Sequence, residues 1–317
     1  MVEKKFKNLE EQIEILRHKG LVIEDEEFAK EILLRENYFF LSGYRFPFMP
    51  SNRDRRYIEG TTFEEVYSLF LFDRSFRNVI FKNLLIIENN LKSITSYQLS
   101  KKYGYREKDY LKSKNFTNKP EKSRQVNDLI KKMKRQIRIN GAQHTATQHY
   151  VSNYGYIPLW ILVKVLSFGI VSEMFTILKK EDQQAICEIY HVTVEELTTY
   201  LPILANYRNL CAHEDIVYDN KTQRDIEDTV YHQLLKIEKV DGEYITGKND
   251  LFALIIIMKQ VLKYEDFLNM TLELERVIDN LEYNLKTIPI DKILNIMGFP
   301  ENWKELSTIE RSLDIDE

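Results

Sequence analysis

Residues 62–104 read TFEEVYSLFLFDRSFRNVIFKNLLIIENNLKSITSYQLSKKYG. Leu69, Phe72, Phe76, Val79, Ile80, Leu84, Ile87, Leu91 and Ile94 recur at three- and four-residue intervals. That is the period of one helix face. Thr62 followed by Glu65 has the form of a capping box, in which hydroxyl and carboxylate each satisfy an amide orphaned by the helix start. Gly104 fits the stop, because glycine adopts the left-handed backbone that ends helices. A helix of about forty residues is about 60 Å long at about 1.5 Å per residue. A rod of that length forms the spine of a bundle.

The rest of the chain agrees. Only 10 Gly and 7 Pro occur in 317 residues, too few for a sheet protein with many turns. Helices are expected at 5–18, 25–36, about 127–137 (ended by Asn140-Gly141), 159–178, 181–190, about 222–237, 250–285 and 290–297. Thr193 with Glu196 forms a second capping box. The helix it starts is expected to break or kink near Pro202, which lacks an amide donor, or to restart there and carry Leu204 to His213. Residues 37–48, dense in aromatics, predict a packed turn. Arg53, Asp54, Arg55 and Arg56 predict an exposed loop, and Gly242 to Gly247 a small hairpin. Trp160 and the Tyr44, Phe46, Pro47, Phe48 group are expected in the core. Lys164 either snorkels or faces a cleft. The fold class is all-α, a multi-helix bundle with a long spine helix and helical extensions. Residues 1–220 form the main helical domain, with a basic insert at about 101–140. Residues 221–317 form a C-terminal helical extension packed on it.

Composition narrows the function. The chain is 44% hydrophobic and 30% charged, neither disordered nor membrane-like. Cys187 and Cys211 are the only cysteines, which suits a reducing cytoplasm. The charged start lacks the apolar core of a signal peptide, and the run Leu251 to Met258 is too short to span a bilayer. A cytoplasmic protein without a membrane partner is expected. No cofactor and no metal site is called for.

Net charge is only -4, but residues 101–138 hold fourteen Lys and Arg against four Asp and Glu. Such a segment is either an electrostatic footprint for phosphate or a solvated helix face. Lys131, Lys132, Lys134, Arg135 and Arg138 are the candidate RNA contacts within it.

The candidate chemistry lies in Asn206-Tyr-Arg-Asn-Leu-Cys-Ala-His-Glu-Asp215. Cleaving RNA without a metal requires one group to take the 2′-OH proton and one to protonate the leaving 5′-oxygen. Histidine titrates in the range for both tasks. A guanidinium stabilises the charge gathered on the phosphorane. Asn209 and His213 share a helix face, whereas Arg208 is rotated from His213 by about 140° at about 100° per residue. Two copies of the motif across a homodimer would supply two His and two Arg to one cleft. The structural alternative is that Arg208 and His213 cap carbonyls or pair with Glu214 and Asp215. Arg138 and His144 also match the generic pattern of an Arg followed, after four to six residues, by a His, as coincidence.

The chain resembles the Abi-like abortive-infection proteins, the AbiD/AbiF group, over nearly its full length. The resemblance is carried by Tyr38-Phe-Phe-Leu-Ser-Gly-Tyr-Arg-Phe-Pro-Phe48 and by the Phe72-Asp73 to Lys92 helix with Ile87-Glu88. It continues in Pro158-Leu-Trp-Ile-Leu-Val-Lys-Val-Leu-Ser-Phe-Gly169, Arg208-Asn-Leu-Cys-Ala-His213 and Met297-Gly-Phe-Pro-Glu-Asn-Trp303. It implies a bundle of HEPN type and a role in phage defence. It also implies metal-independent endoribonuclease activity through an Arg-Asn-x-x-x-His motif, with Arg208, Asn209 and His213 catalytic. Some relatives resemble toxins restrained by a structured noncoding RNA, so the alternative is a non-cleaving module that holds such an RNA. Glu214 and Asp215 depart from the basic or small residues of many relatives, and would repel phosphate or restrain His213.

Overall fold

The computed structural model describes residues 5–51, 56–141 and 143–310. Along the chain lie α1 (Leu9–His18), α2 (Glu26–Glu36), α3 (Tyr38–Tyr44), α4 (Phe63–Tyr103), α5 (Glu107–Tyr110), α6 (Ser123–Asn140) and α7 (Thr145–Tyr154). They are followed by α8 (Leu159–Val165), α9 (Phe168–Thr176), α10 (Lys180–Tyr190), α11 (Val194–Ala212) and α12 (Val230–Leu234). A two-stranded hairpin, β1 (Lys239–Val240) and β2 (Glu243–Tyr244), precedes α13 (Leu251–Val261), α14 (Tyr264–Asn284) and α15 (Ile290–Met297). The fold is all-α, built on one long helix.

That helix is α4. Its 41 residues end at Gly104, where φ is 92°. Thr62 caps its start by accepting the Glu65 amide. The expected return bond is not made. The Glu65 carboxylate instead accepts the amides of Lys286 and Thr287, at 2.8 and 2.7 Å, and so ties the N-terminus of α4 to the end of α14. Leu69, Phe76, Ile80, Leu84 and Leu91 of the predicted face are buried, and α14, α8, α11, α3 and α10 all pack around the rod. The C-terminal helices therefore share the spine with the N-terminal ones. Phe76 of α4 meets Phe299, which stacks edge-on against Trp303, so the 297–303 tail closes one side of the same core.

Several expectations need correction. Residues 38–44 are helical, not a turn. The helix expected over 159–178 is two helices, because Ser167 takes an extended backbone and caps α9 through the Ile170 amide. Pro202 does not break α11, which is a single helix from Val194 to Ala212 with the Thr193–Glu196 capping box at its start. Leu201, Ile203 and Leu204 are buried beside it, and this packing offsets the one lost backbone bond. Most of 222–237 is not helical: the amides of Thr222 and Ile226 bond to the carbonyls of Asn249 and Lys248 instead. The helix expected over 250–285 is interrupted at Leu262 and Lys263, where the backbone extends. The hairpin lies slightly earlier than expected, turning at Asp241-Gly242, whose φ values of 52° and 88° suit a tight turn of the primed type. Trp160 and Phe46 are exposed, whereas Tyr44, Pro47 and Phe48 are buried. Lys164 is exposed on α8. Arg53, Asp54 and Arg55 lie outside the described residues, and Arg56 is exposed. Among the described residues no helix is long and apolar enough to cross a membrane.

Candidate functional site

Arg208 and Asn209 lie in the last turn and a half of α11, and His213 is its C-cap with φ -98° and ψ 5°. The His213 amide still bonds to the Asn209 carbonyl at 3.0 Å, so the backbone leaves the helix only after the histidine. Asn209 and His213 are exposed, and Arg208 is half-buried. One helix end thus presents all three residues.

The arginine is held by a residue that the sequence reading left without a role. Glu88, on α4, accepts a hydrogen bond from Arg208 Nε at 3.0 Å through one carboxylate oxygen. Its other oxygen accepts from Lys92 Nζ at 2.7 Å. The Glu88 side chain is only 7% exposed, so this is a desolvated carboxylate between two cations. The Arg208 guanidinium also lies 5.9 Å from the centre of the Phe81 ring. Because Arg208 uses Nε for Glu88, its two terminal nitrogens keep no partner among the described residues. A guanidinium fixed in this way presents a preset fork to an oxyanion.

The chain leaving His213 is fixed by a second buried network. Asp73 and Arg77, four apart on α4, form an ion pair at 2.8 Å with side chains 0% and 3% exposed. Asp73 also accepts the Tyr44 hydroxyl and the amides of Val217 and Tyr218. Arg77 donates to the Asp215 carbonyl at 3.0 Å. Burial raises the Asp73 carboxyl from its ordinary value, and Tyr44, Arg77 and the two amides pull it back. Gly43 of α3 completes the clamp: a Cβ there would stand 2.3 Å from Ile216 Cδ1, and its carbonyl accepts the Tyr218 hydroxyl. The aromatic segment around Tyr44 is therefore a seat for residues 215–218.

Glu214 takes a left-handed backbone, φ 57°, at the turn out of α11. Its charge bears on Arg74, which is held by Glu36 through two bonds of 3.0 and 2.7 Å. Neither Glu214 nor Asp215 forms an ion pair with Arg208 or His213 among the described residues. Cys211, just before the histidine, is buried, and burial pushes its thiol up to about 12, which rules it out as a ready nucleophile.

The basic candidates lie elsewhere. On α6, Val126, Leu129, Ile130 and Met133 face the core. Lys131, Lys132, Lys134, Arg135 and Arg138 are all exposed. Lys131 pairs with Asp128 and Lys132 with Glu173, whereas Lys134, Arg135 and Arg138 have no acidic partner among the described residues. α6 packs on α8 and α9, while α11 packs on α4 and α9. No hydrogen bond or ion pair among the described residues joins the basic face to the Arg208–His213 motif. His144, of the coincidental match, bonds to Thr147 and not to Arg138.

Comparison with known families decides what this helix end belongs to. The family described as Abi-like protein matches residues 31–219, more than half of the chain. The chain belongs to that family. The matched span contains α3, the Asp73–Arg77 pair, Glu88 and the whole Arg208–His213 motif. Family membership associates the chain with abortive infection, a phage-defence response. No curated protein and no solved structure matched it.

Proposed function

We propose that the chain is a metal-independent endoribonuclease of phage defence, of the HEPN superfamily and the AbiD/AbiF group, acting in the cytoplasm as a homodimer. The observation that carries this is the buried Glu88 carboxylate holding Arg208 by Nε beside an exposed Asn209 and His213. An arginine serving only to cap its own helix would have no need of a buried carboxylate on another element.

The chemistry follows from the groups present. Neutral His213 takes the proton from a ribose 2′-OH, and the 2′-oxygen attacks the adjacent phosphorus. Arg208 stabilises the charge gathered on the phosphorane. The P–O5′ bond then breaks, and the His213 imidazolium of a second copy gives the 5′-oxygen its proton. The products are a 2′,3′-cyclic phosphate and a 5′-hydroxyl. Asn209 orients the phosphate as a neutral donor. The second copy would cover Leu85, exposed on α4 within a turn of Glu88 and Phe81.

The test is cleavage of total RNA in excess EDTA by protein stripped of bound RNA at high salt. Wild type should cut and leave cyclic phosphate ends. His213→Ala and Arg208→Ala should each lose about 100-fold or more, the usual worth of an acid–base group. Equal cleavage by wild type and both variants sinks the proposal.

A second reading rests on a different observation. Lys134, Arg135 and Arg138 stand together without acidic partners among the described residues, as a surface for holding a structured noncoding RNA does. In that reading RNA binding survives His213→Ala and is lost on charge reversal in α6. A discrete RNA in the salt wash, with no cleavage by either protein, would favour it. Both hold if the bound RNA restrains the nuclease.

A further inference from the structure

Away from the motif, a run of aromatic rings lies on the surface where α5, α7 and α8 meet. Trp160 is 5.5 Å from Tyr105, Tyr105 is 5.8 Å from Tyr156, and Tyr156 is 6.3 Å from Tyr154, centre to centre. Tyr105, Tyr154 and Trp160 are 39%, 57% and 41% exposed. Their backbone explains why they gather here but not why they stay uncovered. The Tyr105 carbonyl accepts the Leu159 amide, the Glu107 carboxylate accepts the Ile157 amide, and the Tyr110 hydroxyl bonds to the Ile157 carbonyl. Those bonds close the seam between 105–110 and 157–159 without using the rings. Aromatics of this size are ordinarily buried, and a contiguous exposed group marks a binding surface.

Charge identifies the occupant. The Arg106 guanidinium lies 4.9 Å from the centre of the Tyr156 ring and 5.9 Å from that of Tyr105. Lys164 is exposed one turn beyond Trp160 on the same face of α8. Across α5, Lys131, Lys134 and Arg138 line a groove with Glu107, Leu111 and Ile137. Glu107 belongs both to that groove and to the seam under the rings. Aromatic faces beside a cationic groove are the elements that bind unpaired nucleotides, whose bases stack while their phosphates are tracked by charge.

We propose that Tyr105, Tyr156, Tyr154 and Trp160 form a stacking platform for the bases of single-stranded RNA, with Arg106, Lys164 and the α6 cations on its phosphates. This rests on the reading of the chain as a protein that acts on RNA, but not on cleavage. The platform is a separate site. Glu88 and Tyr103 stand fifteen residues apart on α4, about 23 Å at a rise of about 1.5 Å per residue. A strand held on the rings would be presented to the motif from a distance, which makes the platform a determinant of which RNA is used.

Tryptophan fluorescence gives a direct readout, because the chain has two tryptophans and Trp303 is 2% exposed. The probe is a 2′-O-methyl oligouridylate, which has no 2′-OH to be cleaved. It should quench the wild-type signal, and Trp160→Phe should abolish the quenching while keeping affinity within a few-fold. In anisotropy titrations with labelled probe, the Tyr105→Ala/Trp160→Ala double variant should bind at least about tenfold more weakly, since each stacked base is worth about that much or more. The Tyr105→Phe/Trp160→Phe variant, which keeps an aromatic ring at both positions, should bind within a few-fold of wild type and controls for folding. Absence of quenching at saturating oligonucleotide, wild-type affinity in the double alanine variant, or equal competition by duplex RNA would each overturn the proposal. Quenching by a protein that cleaves no RNA would sustain the platform and sink the nuclease. Cleavage without quenching would do the reverse.

Discussion

Residues 215–218 are tied to α3 and α4 by buried hydrogen bonds, whereas the cationic face of α6 is tied by exposed ion pairs or by none. In the first region the Asp73 carboxylate takes bonds from Tyr44, Arg77, Val217 and Tyr218, all out of water. In the second, Lys131 and Lys132 each meet one acid at the surface, and Lys134, Arg135 and Arg138 meet none among the described residues. A buried network fixes geometry, because every member left unpaired costs desolvation energy. Exposed cations fix little, since water and salt screen them. The contrast matches the two demands of the proposed activity: acid–base chemistry needs groups held in place, while phosphate tracking tolerates mobile charges. Substitutions in the two regions should therefore have opposite signatures.

The largest expected effect is on stability, in the first region. Asp73→Ala leaves the Arg77 guanidinium buried without its carboxylate and frees the amides of Val217 and Tyr218. A loss of about 3–5 kcal/mol is expected for a broken buried pair, read from urea unfolding midpoints. A loss below about 1 kcal/mol would mean that residues 215–218 are not held by this network.

Next comes Glu88→Gln, which keeps shape and removes charge. Lys92 and Arg208 both remain partly exposed, so stability should fall less than for Asp73→Ala. In the proposed nuclease the effect is on rate. An Arg208 no longer anchored at Nε should lower cleavage by about 100-fold, the scale of a small misplacement of a catalytic group. Oligonucleotide binding should be unchanged. Full activity in this variant would make Glu88 a structural residue only.

The second region should respond the other way. Reversing Lys134, Arg135 and Arg138 to Glu should leave unfolding within about 0.5 kcal/mol of wild type, as for most surface changes. It should weaken RNA binding and flatten its salt dependence. Three lost phosphate contacts would lower the slope of log K against log salt by about 2, at about 0.7 per contact for a single strand. An unchanged slope would show that α6 does not face RNA.

How much of this was legible in the sequence follows the same division. The spine and its glycine stop were readable, because a helix face repeats locally and a cap lies within four residues. The exposed cations of α6 were readable for the same reason. The clamps were not. Glu88 and Arg208 are 120 residues apart, and Glu65 serves Thr287 instead of its own helix start. No local pattern announces a buried acid whose partner lies so far along the chain. Trp160 was misplaced because an apolar run suggested burial on all sides, whereas α8 keeps one face open at Trp160 and Lys164. Pro202 misled for the complementary reason: its local penalty is real, but burial of its neighbours outweighs it.

The smallest effect lies outside both regions and guards the comparison. His232 is fully buried under the hairpin, stacked on Tyr244 at 4.8 Å. Its Nδ1 accepts the Thr229 amide, so Nε2 carries the proton and donates to the Gly247 carbonyl. A second proton on Nδ1 would face that amide. Burial, with Lys248 nearby, lowers the His232 imidazole from its ordinary value, against the pull of the Gly247 carbonyl and Asp228. The unfolded chain thus takes up a proton near pH 6.5 that the folded chain takes up only at lower pH. Stability is complete above about pH 6.5 and falls as pH drops through the folded value, by at most about 1.4 kcal/mol per unit for one proton. Urea midpoints at pH 7.5 and 5.5 should differ more in wild type than in His232→Gln, which cannot titrate. Equal differences would mean that His232 does not drive the loss. The comparison matters for the site, because any decline of cleavage in acid that His232→Gln removes belongs to lost folding, and only the part that persists in that variant belongs to the motif.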